Sequence, residues 1–131
     1  MIRWLLVASA ILAWLFAGML LFASARFEAP IGIEMNDKIA TIAQAQGAIL
    51  AGLGVIDFLC SRVSDRQALR AVVLGNLVVQ ILSLGVAGRA LVLGIFPASA
   101  APSVVIHVVL GALFAVAMVK LRAPRASLAS D

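Results

Sequence analysis

Apolar residues run through this chain in long uncharged blocks, not in the alternation of a barrel strand or a surface strand. Four blocks stand out. Trp4 to Ala25 lies between Arg3 and Arg26, and Ile39 to Ile56 lies between Lys38 and Asp57, continuing apolar through Phe58-Leu59-Cys60. Ala71 to Gly88 lies between Arg70 and Arg89, and Ala90 to Val119 is broken by Pro97 and Pro102, leaving Ser103 to Val119 for a helix. Wound at ~1.5 Å per residue, each block covers roughly 25–33 Å, against about 30 Å of bilayer hydrocarbon. In lipid a segment must satisfy its own backbone hydrogen bonds, and without strand alternation only helices do so. The pattern predicts an all-α fold, an integral membrane four-helix bundle forming a single transmembrane domain over residues 1–131. Its helices are expected over about 4–25, 39–60, 68–89 and 103–120, with a basic tail over 121–131.

Composition hardens this reading. The chain is 64% hydrophobic and 12% charged, where soluble domains average roughly 45–50% apolar and about 25% charged. With a mean hydropathy of +1.15, a water-soluble fold is excluded, and so is a nucleic-acid reader despite the isoelectric point near 10.7. The basic residues act instead as threading signals. Arg3, Arg62, Arg66, Arg70, Lys120, Arg122 and Arg125 fall on one side of the expected bundle. Arg26, Lys38 and Arg89 fall on the other, diluted by Glu28, Glu34 and Asp37. This positive-inside bias puts both termini in the cytoplasm, which fits a multi-pass protein of the bacterial inner (cytoplasmic) membrane and argues against dual topology. Arg3 and Ala23-Ser24-Ala25 imitate a secretory signal, but the apolar core is longer than the ~7–15 residues of such signals, so an uncleaved first helix is expected.

The connections differ in character. Arg26 to Lys38 is acidic and interleaves Phe27, Ile31, Ile33 and Met35, as expected of a segment lying on the membrane surface, with Asn36 or Asp37 as N-cap of the second helix. Ser61 to Gln67 reads as a tight hairpin, and Ala90 to Pro102 is apolar enough to hug the interface or extend the third helix.

Chemistry, if the chain has any, must come from the few polar side chains inside the blocks. These are Gln44 and Gln46 in the second helix, Asn76, Gln80 and Ser83 in the third, and His107 in the fourth. Asn76, Gln80 and Ser83 recur at i, i+4, i+7 and share a helical face. Antiparallel hairpins would bring Gln44, Gln46, Gln80 and His107 to similar depths, with Asn76 deeper and His107 level with Gly85. Two readings stay open: interhelical hydrogen bonds that fix packing, or an outward-opening pocket for a lipid head or a quinone carbonyl. Asp57 is expected level with Arg70 as an interfacial ion pair. Small residues at Ala43, Gly47 and Ala51, at Ala48 and Gly52, and at Gly111 and Ala115 mark ridges where helices approach closely. One Cys (Cys60) and one His supply neither a disulfide nor a metal cluster. Trp4 suits an aromatic belt, and Trp14 lies mid-span and is expected to pack in the bundle.

The run Gln44-Ala45-Gln46-Gly47-Ala48, followed by Gly52-Leu53-Gly54, a short basic hairpin and Gly75-Asn76, resembles uncharacterised short bacterial four-helix membrane proteins of the DoxX-like neighbourhood. The resemblance implies a four-helix inner-membrane bundle; some relatives of that kind serve quinone or thiosulfate oxidation as partner subunits. It brings no catalytic residue with it. The expectation is therefore a non-enzymatic accessory or interaction subunit, with the lipid bilayer and another membrane protein or a homo-oligomer as partners, and no cofactor unless a bound lipid or quinone. The alternatives are a lipid- or quinone-binding module lined by Gln44, Gln46, Asn76, Gln80 and His107, and a small proton-coupled transporter using Asp57 or His107.

Overall fold

A computed structural model describes residues 1–34 and 36–122; Met35 and the tail from 123 on, with Arg125, lie outside the described residues. The described residues form five α-helices: α1 (Ile2–Phe22), the short α2 (Ser24–Glu28), α3 (Asp37–Cys60), α4 (Arg66–Val92) and α5 (Ala101–Arg122). Four of them, α1, α3, α4 and α5 with its preceding turn, are long and apolar enough to cross a membrane.

Local chemistry sets their ends. Asn36 caps α3, its side-chain oxygen accepting from the Lys38 and Ile39 amides at 3.0 Å each. Asp65 caps α4 in the same way through the Gln67 and Ala68 amides, so amides that lack an intrahelical acceptor are satisfied. The first helix stops at Ala23, earlier than expected, where the backbone turns to φ −141° before α2 begins. The third apolar block runs on to Val92 and ends at Gly94, whose φ of +67° is open to glycine at little cost; the Ile95 amide then reaches back to the Ala90 carbonyl at 2.9 Å. Pro102 sits in the first turn of α5, where its missing N–H costs no helical bond.

The bundle is built as two antiparallel pairs, α1 with α3 and α4 with α5. Glycines bring the first pair together. A Cβ at Gly47 would stand 3.0–3.1 Å from Leu21, Leu20 and the Ala17 carbonyl, and one at Gly54 would stand 2.6 Å from the Trp14 ring nitrogen. A side chain at position 54 would cover the preceding turn; its absence lets Trp14 lie on α3 and donate to the Ala51 carbonyl at 3.3 Å. Trp14 also tilts against Phe58, with ring centroids 5.5 Å apart. In the second pair Gly111 faces the Gln80 Cβ at 3.5 Å. Gly52, expected at a helix contact, has nothing within 4 Å of a Cβ placed there and opens outward.

The pairs meet at the end carrying Arg3, Arg62, Arg66 and Lys120. There Leu5 and Leu6 of α1, Leu69 and Val73 of α4, and Phe114, Ala117, Met118 and Leu121 of α5 form the apolar core, with Cys60 of α3 at its edge. Arg66 closes that end by donating to the Leu121 carbonyl at 3.0 Å. At the opposite end the Ser99 hydroxyl donates to the Pro30 carbonyl at 2.9 Å, joining the two loops. Between these ends α3 meets α4 over only a short stretch. The spans are covered unequally as a result: over their apolar 18-residue windows, 39% of α1 is buried against 11% of α3.

Because the Trp14 ring cannot swing away as a flexible chain end would, Gly54→Ala is expected to cost ~1–3 kcal/mol through overpacking. Gly52→Ala should stay within about 0.5 kcal/mol of the parent. Reversible unfolding in mixed micelles measures both, and equal effects would contradict the packing described.

Candidate functional site

Among the described residues, two polar groupings occupy the interior. The deeper one joins three helices. Asp57 of α3 is 0% exposed, Asn76 of α4 is 1% exposed and Ser9 of α1 is 5% exposed. Helix periodicity explains the convergence. Gly47, Gly54 and Asp57 lie on the face that α3 turns inward, and Asn76 shares the buried face of α4 with Leu69, Val73 and Gln80. The Asn76 amide nitrogen donates to Asp57 Oδ1 at 2.6 Å and to the Val72 carbonyl at 3.1 Å. The Ser9 hydroxyl lies alongside the same carboxyl group. Asp57 Oδ2 and Asn76 Oδ1 are buried without a hydrogen-bond partner, which in a low-dielectric interior is a costly arrangement.

This corrects the expected ion pair. Arg70 is exposed, one position on from inward-facing Leu69, and the residue alongside Asp57 is Asn76. The other nearby cation, Arg62, holds its guanidinium 4.7 Å over the Phe58 ring. The carboxyl group therefore has amide and hydroxyl neighbours where a cation was expected.

The second grouping lies one turn further along α4. Gln80, 6% exposed, faces His107 of α5, with Nδ1 of the ring 2.7 Å from Gln80 Oε1. An amide oxygen only accepts, so His107 donates from Nδ1. With Gly111 facing the Gln80 Cβ, His107 stands one helical turn further along, at the expected depth near Gly85, and the two side chains meet across that turn. Ser83 continues the same face and is half-buried.

The expected cluster is thus divided. Gln80 and His107 meet each other, and Asn76 turns to Asp57. Gln44 and Gln46 join neither, because α3 presents Ala43 and Gly47 to α1 and the two glutamines flank that contact, both exposed. Depth alone put them beside Gln80; rotation about the helix axis takes them away. Ser9 was missed by the sequence reading, although it is the sole Ser in α1 and recurs four residues after Leu5 on a buried face.

An open cleft of about 750 Å³ lies elsewhere, at the Arg-rich end, lined by Arg66, Gln67, Arg70, Met118 and Arg122 among others. Arg66 already closes the end of α5 across it. Compared with protein-family models, curated proteins and solved structures, the chain matches none.

If Asp57 and Asn76 act as a pair, a double-mutant cycle of Asp57→Ala and Asn76→Ala should show a coupling of about 1–3 kcal/mol in unfolding free energy. Additive effects of the two substitutions would mean that their hydrogen bond does not hold the bundle.

Proposed function

We propose that this protein is a small non-enzymatic subunit of a bacterial inner membrane, both termini cytoplasmic, that acts by packing α3 against a helix of another membrane protein or a second copy of itself. One observation carries this reading: the outward face of α3. Thr41, Ala45, Ala48 and Gly52 recur there at i, i+4, i+7, i+11 and are all exposed. Gln44 stands beside that ridge, also exposed, within a span of mean hydropathy 1.7.

Small residues let helix backbones approach closely, and dispersion over a close contact is what drives helix association in lipid. An amide facing hydrocarbon lacks the water that would otherwise hydrate it. A partner helix that bonds to Gln44 supplies ~0.6–2 kcal/mol. A second copy in the same orientation suits this face well, since it brings the same ridge and the same amide. The basic residues at one end need no further ligand; they serve topology and attract anionic lipid headgroups at about 1 kcal/mol each. The lipid- or quinone-pocket reading is weakened by the division of its expected lining.

Crosslinking in native membranes tests the reading. In a Cys60→Ser background, Ala48→Cys and Gly52→Cys should give a discrete adduct with a thiol crosslinker, while Val109→Cys, on the exposed face of α5, should not. The size of the adduct distinguishes a second copy from another protein. Monomer at all three positions would refute the proposal.

A further inference from the structure

The Asp57–Asn76 pair contains more acceptors than donors. Asn76 has two amide hydrogens, and its nitrogen already serves Asp57 Oδ1 and the Val72 carbonyl. Turning the amide over would give up both bonds, so Asn76 has no hydrogen left for Asp57 Oδ2. Its own Oδ1 is equally without a donor. Two sealed oxygens, one on each partner of the hydrogen-bonded pair, remain without a donor.

Among the described residues, the neighbours named for Asp57 supply no charge to balance an ionised carboxylate. From α1 comes the Ser9 hydroxyl; α3 itself adds Cys60 one turn on, half-buried. From α5 the adjoining core receives apolar side chains, Phe114, Ala117, Met118 and Leu121 with Leu110 beside them. Arg62 stands on the Phe58 ring and Arg70 is exposed. An unpaired buried carboxylate is among the costliest groups a protein interior can hold.

A single hydrogen atom satisfies both oxygens. As a carboxylic acid, Asp57 donates from Oδ2 to Asn76 Oδ1 while accepting at Oδ1 from the amide, the reciprocal pairing of an acid with a primary amide. We propose that Asp57 and Asn76 form an intramembrane proton-binding site, holding one proton between Asp57 Oδ2 and Asn76 Oδ1. Loss of that proton leaves two facing acceptors where a bond stood. Since α3 meets α4 over only a short stretch, occupancy of the site governs how firmly the two helix pairs are joined. The site is independent of the outward face of α3 and stands or falls separately from the docking proposal.

Infrared spectra of the full chain in lipid vesicles, with isotope-labelled aspartate carboxyl groups, test it at neutral pH. The expected result is the carbonyl band of an un-ionised acid, shifted in deuterated water and lost in Asp57→Asn. Asp37 and Asp65, both exposed, should give carboxylate bands only. Asn76→Ser should move the acid band, a second readout should Asp57→Asn fail to fold. A spectrum of the parent protein showing carboxylate alone would overturn the proposal. So would an acid band that disappears on adding sodium at constant pH, which would assign the oxygens to a metal cation.

Discussion

The 2.6 Å hydrogen bond between Asn76 and Asp57 ties together two helix pairs that otherwise pack as separate units through much of their length. Its importance follows from the solvent. In hydrocarbon a polar side chain has no water to fall back on, so it must find a partner within the protein or be sealed away from lipid at a cost. This bundle does both. α1 and α3 close on each other through Gly47 and Gly54, and α4 and α5 close through Gly111 and the Gln80–His107 pair. The apolar core at the Arg-rich end holds the pairs at one level. Further in, the polar contact among Ser9, Asp57 and Asn76 joins them.

The same solvent argument explains why one helix stands apart. α1 is the most covered span and α3 the least, although both are long and apolar. The difference arises because α3 spends its inward glycines on α1 alone and turns a second small-residue ridge outward. Gln44 beside that ridge meets no partner chemistry inside the bundle, whereas Gln80 at a comparable stage of α4 does. A helix that needs a neighbour and a bundle that offers none is what motivates the subunit proposal.

Much of the architecture was legible in the pattern of uncharged blocks. Block length alone located the four spans, and Asn36 announced the start of α3 through its capping chemistry. The break at Ala23 was hidden because nothing in an apolar stretch marks a change of φ. Site residues were legible only in part, and for one reason: residue spacing gives depth but not the rotation of one helix against another. Depth placed Gln44 with Gln80 and Asp57 with Arg70. Rotation, set by where Gly47, Gly54 and Leu69 face, sent both glutamines outward and turned Asp57 toward Asn76. Ser9 was overlooked because a single hydroxyl in an apolar run carries little pattern, and its meaning depends on Asp57 lying opposite.

The central claim is that the Asp57–Asn76 contact holds the α1–α3 pair to the α4–α5 pair. Spin labels on Ile42 and Val86, both exposed and far from the apolar core, test it most directly in a Cys60→Ser background in lipid. Electron–electron distance measurements should give one narrow distribution in the parent and a broadened or longer one in Asn76→Leu, with secondary structure unchanged. An identical narrow distribution in both proteins would contradict the account.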